Sequence, residues 1–446
     1  MDEQITHLII RSESMPKLNP QAEEINRVLE KDNPVLYRLL SDRGCGFYFP
    51  KLGIVKQSAD AKGKRIDATI GIATEDDGSP LRLESISGKI GLDPKQVFPY
   101  ASSYGLLELR KAWRESIIRK NPSLKERISL PVVTQALTHG LSVVGSLFLN
   151  PGDRILIPDK FWGNYRLILE NMYGAVLVPF NTFKNGGFDV EALRVALSKE
   201  KGKIILLLNF PNNPAGYTPT DQEASAIVKA VTESAAGGND ILAVMDDAYF
   251  GLVYEKGIFR ESLFALLAQA HENIAAVKAD AATKEEYVWG LRVGFLTYSS
   301  KGITEQSCAV LEEKTGGVVR GSISNASHLS QSLILQALAS PSYADEKAAK
   351  FDLLRRRYEK VKSIFKEHGS RYSKYFSPLP YNSGYFMCVE LAGNRSAEDV
   401  RQILLKKYDT GIISQGNLVR VAFSATPTNL LPEVFENVFK ACGELG

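Results

Sequence analysis

The sequence predicts an α/β fold: a central, mostly parallel sheet flanked by helices, with a smaller α+β domain built from both chain ends. Short apolar runs recur at residues 175–179, 204–208, 241–245, 274–277 and 293–297. Helical patterns fill the gaps, as at 190–197 and 221–236, and alternation at this separation is how parallel strands joined by crossover helices read in sequence. Beyond Ser330 the pattern changes. Helical propensity is continuous to about residue 366, and β-rich runs at 385–391 and 418–423 then exchange with helices at 397–407 and 431–442. A chain of 446 residues has room for two domains and a large core.

Composition narrows the class. A hydrophobic content of 44% with 24% charged residues reads as a soluble globular protein. Basic and acidic side chains number 54 and 51, a net charge of +3 without a long basic block, which gives no electrostatic footprint for a nucleic-acid partner. Cys45, Cys308, Cys388 and Cys442 lack metal-ligand spacing and are expected as free thiols in a reducing compartment. No apolar run reaches the roughly 18 residues of a membrane span. The opening MDEQITHLIIRSESMPK has neither a basic start nor an apolar stretch of signal length. A cytoplasmic protein without a membrane partner is the expectation.

Four units are expected in chain order: an N-terminal extension (1–60), a first part of the small domain (61–85), a large domain (86–325) and a C-terminal small domain (326–446). In the extension, Asn19-Pro20 followed by Glu23, Glu24, Ile25, Val28 and Leu29 predicts a short helix that Asn33-Pro34 ends. Gly44, Gly46 and Pro50 predict a turn-rich passage. Residues 66–71 read as a strand ending in Gly71, with a turn at Asp77-Gly78. A helix opens near Leu106, where Leu106, Leu109 and Trp113 keep helical spacing. Residues 130–149 read as strand, turn and long apolar helix, stopped at Pro151-Gly152-Asp153, and a strand begins at Arg154.

Polar groups follow the strand-like runs. Asn209-Phe-Pro-Asn-Asn-Pro-Ala-Gly216 follows one and Asp246-Asp-Ala-Tyr249 another; ligands of such sheets bind beyond the C-terminal ends of the strands. The stretch DAATKEEYVWGLRVGF places Lys284 eight residues before Arg292 in a GLRVG setting. Backbone amides where a loop meets a helix suit an anion, which makes Ala136, Leu137 and Thr138 candidates for a phosphate.

Together and in this order, these stretches resemble the pyridoxal-phosphate enzymes of aminotransferase class I, the aspartate aminotransferase group most closely, over residues 60–430. The resemblance implies the type I fold of pyridoxal-phosphate transferases and a homodimer. It implies Lys284 as the Schiff-base lysine and proton shuttle, and Asp246 as partner of the ring nitrogen, since D-x-A-Y with Tyr249 selects it over Asp247. Tyr249 and Asn213 would hydrogen-bond the ring oxygen, and Trp162, in W-G-N, would stack on the ring. Arg292 and Thr283 would hold the phosphate with Ala136, Leu137 and Thr138. Arg420, in NLVRVAFS, would take the substrate α-carboxylate, and Ile70, Gly71, Trp162 and Asn213 would border the substrate. Tyr100, five residues before Gly105, would reach the partner's cofactor phosphate, with Tyr104 a nearby rival. Arg320, four before Ser324-Asn325, would grip a side-chain carboxylate in the partner's site.

Departures from the family pattern are local. Ala136 stands where glycine is usual, Tyr165 where histidine often supports the aspartate, Ala281 where a serine adds a phosphate donor, and Ala326-Ser327 where two prolines follow. His139 reads as helix packing or a local hydrogen bond. The implied activity is transfer of an amino group from an L-amino acid, aspartate or glutamate first, to a 2-oxo acid by a ping-pong route. A broad or aromatic aminotransferase, a lyase or decarboxylase on the same fold, and a cofactor-binding dimer without turnover are the alternatives. A nicotinamide enzyme lacks its G-x-G-x-x-G between an early strand and helix.

Overall fold

The computed structural model describes residues 18–32, 40, 45, 53–69, 71–88 and 91–445. Its centre is a seven-stranded sheet of β1 (Val132–Gln135), β2 (Arg154–Pro158), β3 (Val176–Phe180), β4 (Lys203–Asn209), β5 (Asp240–Asp246), β6 (Ile274–Ala281) and β7 (Val293–Ser300). The order across the sheet is β1-β7-β6-β5-β4-β2-β3, with β7 antiparallel to both neighbours and the other pairs parallel. In β4 and β5 every residue after the first is buried, as strands covered by helices on both faces require. Asn209 lies opposite Asp246 in register, so β4 and β5 end together, side by side with β6.

The crossover helices begin where the sequence has caps. Thr220 and Glu223 form a reciprocal capping box at the head of Asp221–Ala236, and Asp189 caps Val190–Ser198. Trp113, on the helix Leu107–Lys120, stacks on Phe295 of β7 with ring centroids 4.1 Å apart and donates its indole N–H to Asp280 at 3.1 Å. Both ends of the ring are thereby used, the apolar face by packing and the polar edge by a carboxylate.

A second core gathers Ile66, Ala68 and the C-terminal elements. Its sheet holds β8 (Phe376–Pro378), β9 (Met387–Leu391), β10 (Ile413–Gln415) and β11 (Leu418–Val421) in the antiparallel order β8-β9-β11-β10. Ile66–Asp67 pairs in parallel with Thr410–Gly411, and the Thr74 amide donates to the Ser424 carbonyl at 3.1 Å. The long helix Tyr343–Tyr372 joins the two cores: Leu353 and Leu354 pack in the first, Tyr358, Val361 and Ile364 in the second. Between them Arg357 is fully buried, donating to the Ser424 carbonyl and, at 2.9 Å, to the Asp76 carboxylate.

Several expectations change. The strand expected over 66–71 is only Ile66–Asp67, because Asp67 accepts from the Thr69 amide and hydroxyl at 3.0 and 2.6 Å and turns the chain locally. The helix expected from 330 to 366 is two, His328–Leu338 and Tyr343–Tyr372, with Pro341 in the break. Strand β6 runs four residues past 277 to Ala281, since β7 pairs with it to that point. No turn separates β1 from the helix Ala136–Phe148. The change of direction is made at Ala136 alone, at φ 62°. The extension contains Pro20–Asp32, as its start signals predict, and Ile54–Ala61, which they do not. The turn-rich passage at Gly44, Gly46 and Pro50 lies outside the described residues. No helix among the described residues is long and apolar enough to cross a membrane.

Candidate active site

A cavity of about 400 Å³ opens beyond the ends of β4, β5 and β6. It is lined by twelve of the residues singled out from sequence: Gly71, Ala136, Leu137, Thr138, Trp162, Asn213, Asp246, Tyr249, Thr283, Lys284, Arg292 and Arg420. Lys284, Arg292 and Arg420 are the cations of that lining and Asp246 its carboxylate. An excess of positive charge in a closed space favours a ligand that carries several negative charges.

Asp246 ends β5 and is 2% exposed. Its carboxylate accepts from the Tyr165 hydroxyl at 2.6 Å, the Ala248 amide at 3.0 Å and the Asn209 amide side chain at 3.2 Å. Burial nevertheless pushes its pKa up to about 6, because these donors and the charge of Lys284 offset only part of the lost hydration. A cation delivered by a ligand would find a carboxylate already aimed and short of a full counter-charge.

Lys284 sits in the single turn Ala282–Glu285 that follows β6. Its ammonium lies 4.9 Å from the Tyr249 ring centroid. Burial lowers its pKa to about 8, with Asp246 raising it and Arg292 lowering it further. That brings the neutral amine within reach of ordinary pH, as a nucleophile or base requires. Tyr249 is buried, with its ring edge-on to Tyr385 and Phe386.

Arg420, on β11, is 4% exposed and lies over the Phe386 ring, 4.1 Å from its centroid. It donates to the Asn213 side-chain oxygen and the Thr69 carbonyl, both at 3.2 Å. Asn213 is itself held by its amide, which donates to Asn209 at 2.8 Å. Arg292 adopts the left-handed backbone at φ 56°, and its carbonyl accepts from the Ala136 amide at 3.0 Å. The first residue of the helix Ala136–Phe148 is thus tied to the start of the strand that follows Arg292. Gly294 explains how they come so close: a Cβ there would lie 2.4 Å from the Ala136 carbonyl carbon.

The residues present fit pyridoxal phosphate. Thr283 Oγ1, Trp289 Nε1 and Arg420 Nε are buried around this one cavity without a protein partner. Each such group costs about 1–3 kcal/mol if left unmet, so their convergence suits a ligand rich in acceptors. The helix start at Ala136, Leu137 and Thr138, with Arg292 and Thr283, offers donors for a phosphate, and Trp162 a flat apolar face for a ring.

Tyr165 supplies the hydrogen bond that its place in the sequence implied. His139 accepts from the Gln135 amide at 3.1 Å and meets the Ser322 hydroxyl at 3.0 Å, a local bonding role. Tyr104 packs against Gly316 and Arg110. Tyr100, 91% exposed, and Arg320, also exposed, do not line this cavity. They share one surface: Ser103 donates to the Ser324 carbonyl at 2.8 Å and Arg320 to the Ser324 hydroxyl at 3.3 Å. Ile70 lies outside the described residues. Sequence reasoning missed Asn209, Thr69, Trp289, Ile54 and Ser58. Asn209 was signalled by its place at the end of an apolar run; Ile54 and Ser58 carried no signal, because their helix was not foreseen.

The chain is similar to known proteins. Residues 82–437 match the family model for aminotransferase class I and II. The aspartate aminotransferase of Bacillus sp. (strain YM-2) is 24% identical over 400 residues, covering 87% of this chain and 94% of that protein. Among solved structures, an aminotransferase from Anaerococcus prevotii superposes with a TM-score of 0.79 at 22% identity, covering 90% of this chain and 98% of the other. The aspartate aminotransferase of Thermus thermophilus with maleate gives 0.71 at 18% identity, covering 90% and 99%. These two likenesses concern the fold.

Proposed function

Because the chain belongs to the aminotransferase class I and II family and is a pyridoxal-phosphate-dependent aminotransferase, we propose that it takes the amino group from a dicarboxylic L-amino acid, aspartate or glutamate, and passes it to a 2-oxo acid at the same site by a ping-pong route. The observation that carries the amino-acid part of this reading is Arg420, a buried guanidinium with an unpartnered Nε in the cavity of Lys284, while the dicarboxylic choice rests on Arg320. A planar fork of donors suits an α-carboxylate, and the Asn213 and Thr69 contacts fix its orientation.

When bound, the cofactor supplies the electron sink that makes the substrate Cα proton removable. Lys284, with a pKa near 8, carries that proton away from Cα and returns it. Asp246, oriented by Tyr165 and Asn209, holds a proton on the ring nitrogen. Tyr249 and Asn213 donate to the ring oxygen, and Arg292, Thr283 and the amides of Ala136, Leu137 and Thr138 hold the phosphate. Gly71 and Trp162 close the cavity over the substrate and exclude water. The working unit is a homodimer, in which Tyr100 and Arg320 of each copy serve the other's site; their exposure on one shared surface supports this.

A second reading, an aromatic or broad donor range, is favoured by the wall that Ile54, Trp289 and Phe386 contribute to the cavity. Titrating the cofactor-loaded protein with single amino acids, without an acceptor, separates the two. Loss of the visible band of the lysine-linked cofactor at the lowest concentration of aspartate or glutamate supports the dicarboxylic reading. Earlier loss with phenylalanine or tyrosine replaces it with the aromatic one, and a protein that acquires no visible band removes the assignment of Lys284.

A further inference from the structure

A second cavity, of about 370 Å³, lies back to back with the first. Two chain segments form the partition. Ala248 and Tyr249 line the catalytic side, while Phe250, Gly251 and Leu252 line the other. Lys284 lines the catalytic side, while Glu285 and Tyr287 line the other. The remaining wall comes from the end of the helix Leu107–Lys120 and the first turns of Tyr343–Tyr372. Neither Tyr100 nor Arg320 takes part in it.

The lining is of two kinds. Phe250, Leu252, Tyr287 and Phe351 give an apolar, largely aromatic wall. Against it stands a set of charges. Glu285, nine-tenths buried, accepts from Lys120 and, at 3.0 Å, from Lys347. Behind the lining, Glu286 accepts from the Tyr343 hydroxyl at 2.8 Å and Lys347 at 2.9 Å. Lys347 thus spends its donors on Glu285, Glu286 and the Tyr343 hydroxyl. Lys120 spends one on Glu285 and otherwise faces the Trp113 and Phe250 rings at 5.3 and 5.7 Å. Asp352 at the rim is paired with Arg355 at 3.1 Å. In the lining itself the cations Arg119, Lys120 and Lys347 outnumber the carboxylates Glu285 and Asp352 by one. A concave aromatic wall with a few convergent polar groups is the usual make-up of a small-molecule site.

We propose that this second cavity is a binding site for a small aromatic monoanion, its ring against Phe250, Tyr287 and Phe351 and its acid group on Lys120 and Arg119. The site is separate from the substrate pocket and shares only the partition with it. An occupant would press on the backs of the two segments that carry Tyr249 and Lys284.

Calorimetric titration of the cofactor-loaded enzyme with indole-3-carboxylate, an acid with neither an amino nor an oxo group, tests this. One site per chain is expected, kept in Arg420→Ala and weakened by about tenfold or more, roughly 1.4 kcal/mol, in Ala348→Trp and in Lys120→Met. Ala348 is exposed at the rim, so the larger ring blocks the cavity without entering the core. Indole-3-carboxamide, matched in shape but neutral, is expected to bind about tenfold more weakly than the acid. Absence of binding overturns the proposal, as does binding that Arg420→Ala removes and Ala348→Trp retains, or equal affinity for acid and amide.

Discussion

Asp246 and Tyr100 are both proposed as cofactor contacts, and the structure treats them in opposite ways. Asp246 is 2% exposed and gripped by Tyr165, Asn209 and the Ala248 amide. Tyr100 is 91% exposed, beside Phe98 at 81%. Around the first, orientation is settled within one chain. Around the second, two large aromatic rings remain in water on the surface that also carries Arg320, a cost that a second copy would recover by covering them. Asp246 is thus complete within one chain, whereas Tyr100 and Arg320 have the exposure that the proposed dimer requires.

The sharpest way to break it is at the complete end. Lys284→Ala is expected to lower transamination by about 10⁴-fold or more while leaving the circular dichroism spectrum unchanged; substantial residual turnover would remove the lysine from the mechanism. Arg420→Ala should lower kcat/KM by about 10²- to 10³-fold for every amino donor, since truncating one member of a buried charge contact costs about 2–5 kcal/mol. Steady-state kinetics with two unlike donors reads this.

Arg320→Ala tests the other end and should cost about tenfold to a hundredfold in kcat/KM for dicarboxylic donors, with aromatic donors little affected. Mixed dimers of Arg320→Ala with Lys284→Ala sharpen the result. If Arg320 serves across the boundary, one site of each hybrid has both residues and dicarboxylic activity returns; if it serves its own chain, it does not.

The smallest effect is on stability. Asp246 and Asp280 are both pushed up to about 6 by burial, from an ordinary value of 3.8. The folded protein therefore binds more protons than the unfolded chain between about pH 4 and 6. Stability of the cofactor-free form should fall as pH rises through that window and level off above it. Thermal unfolding across the window checks the sign, and Asp246→Asn should flatten the slope in part.

The same contrast marks what the sequence discloses. Asn213 and Asp246 follow apolar runs, so strand periodicity and the topology of a parallel sheet point to where they lie, whereas Lys284, Arg292 and Arg420 were singled out by the family resemblance. The helix Asp221–Ala236 was legible to the residue, because Thr220, Glu223 and Gly237 punctuate it. Ile54 and Ser58 were not legible. Their short helix packs along Thr410–Gly411 and Ile413–Gln415, more than 350 positions later, and Gln57 reaches the Ser414 carbonyl at 2.9 Å. The second cavity was hidden for a similar reason, since its wall needs Lys120, Glu285 and Lys347 to meet, and each reads alone as a surface charge.

Arg357 has a bearing on motion. It ties Asp76, on the segment that follows Gly71, to Ser424, four residues past Arg420, and it does so from the middle of the helix that joins the two cores. The two shores of the substrate cleft are thus rivetted to one spar. A rotation about that helix would carry Gly71 and Arg420 together and leave the span between them unchanged.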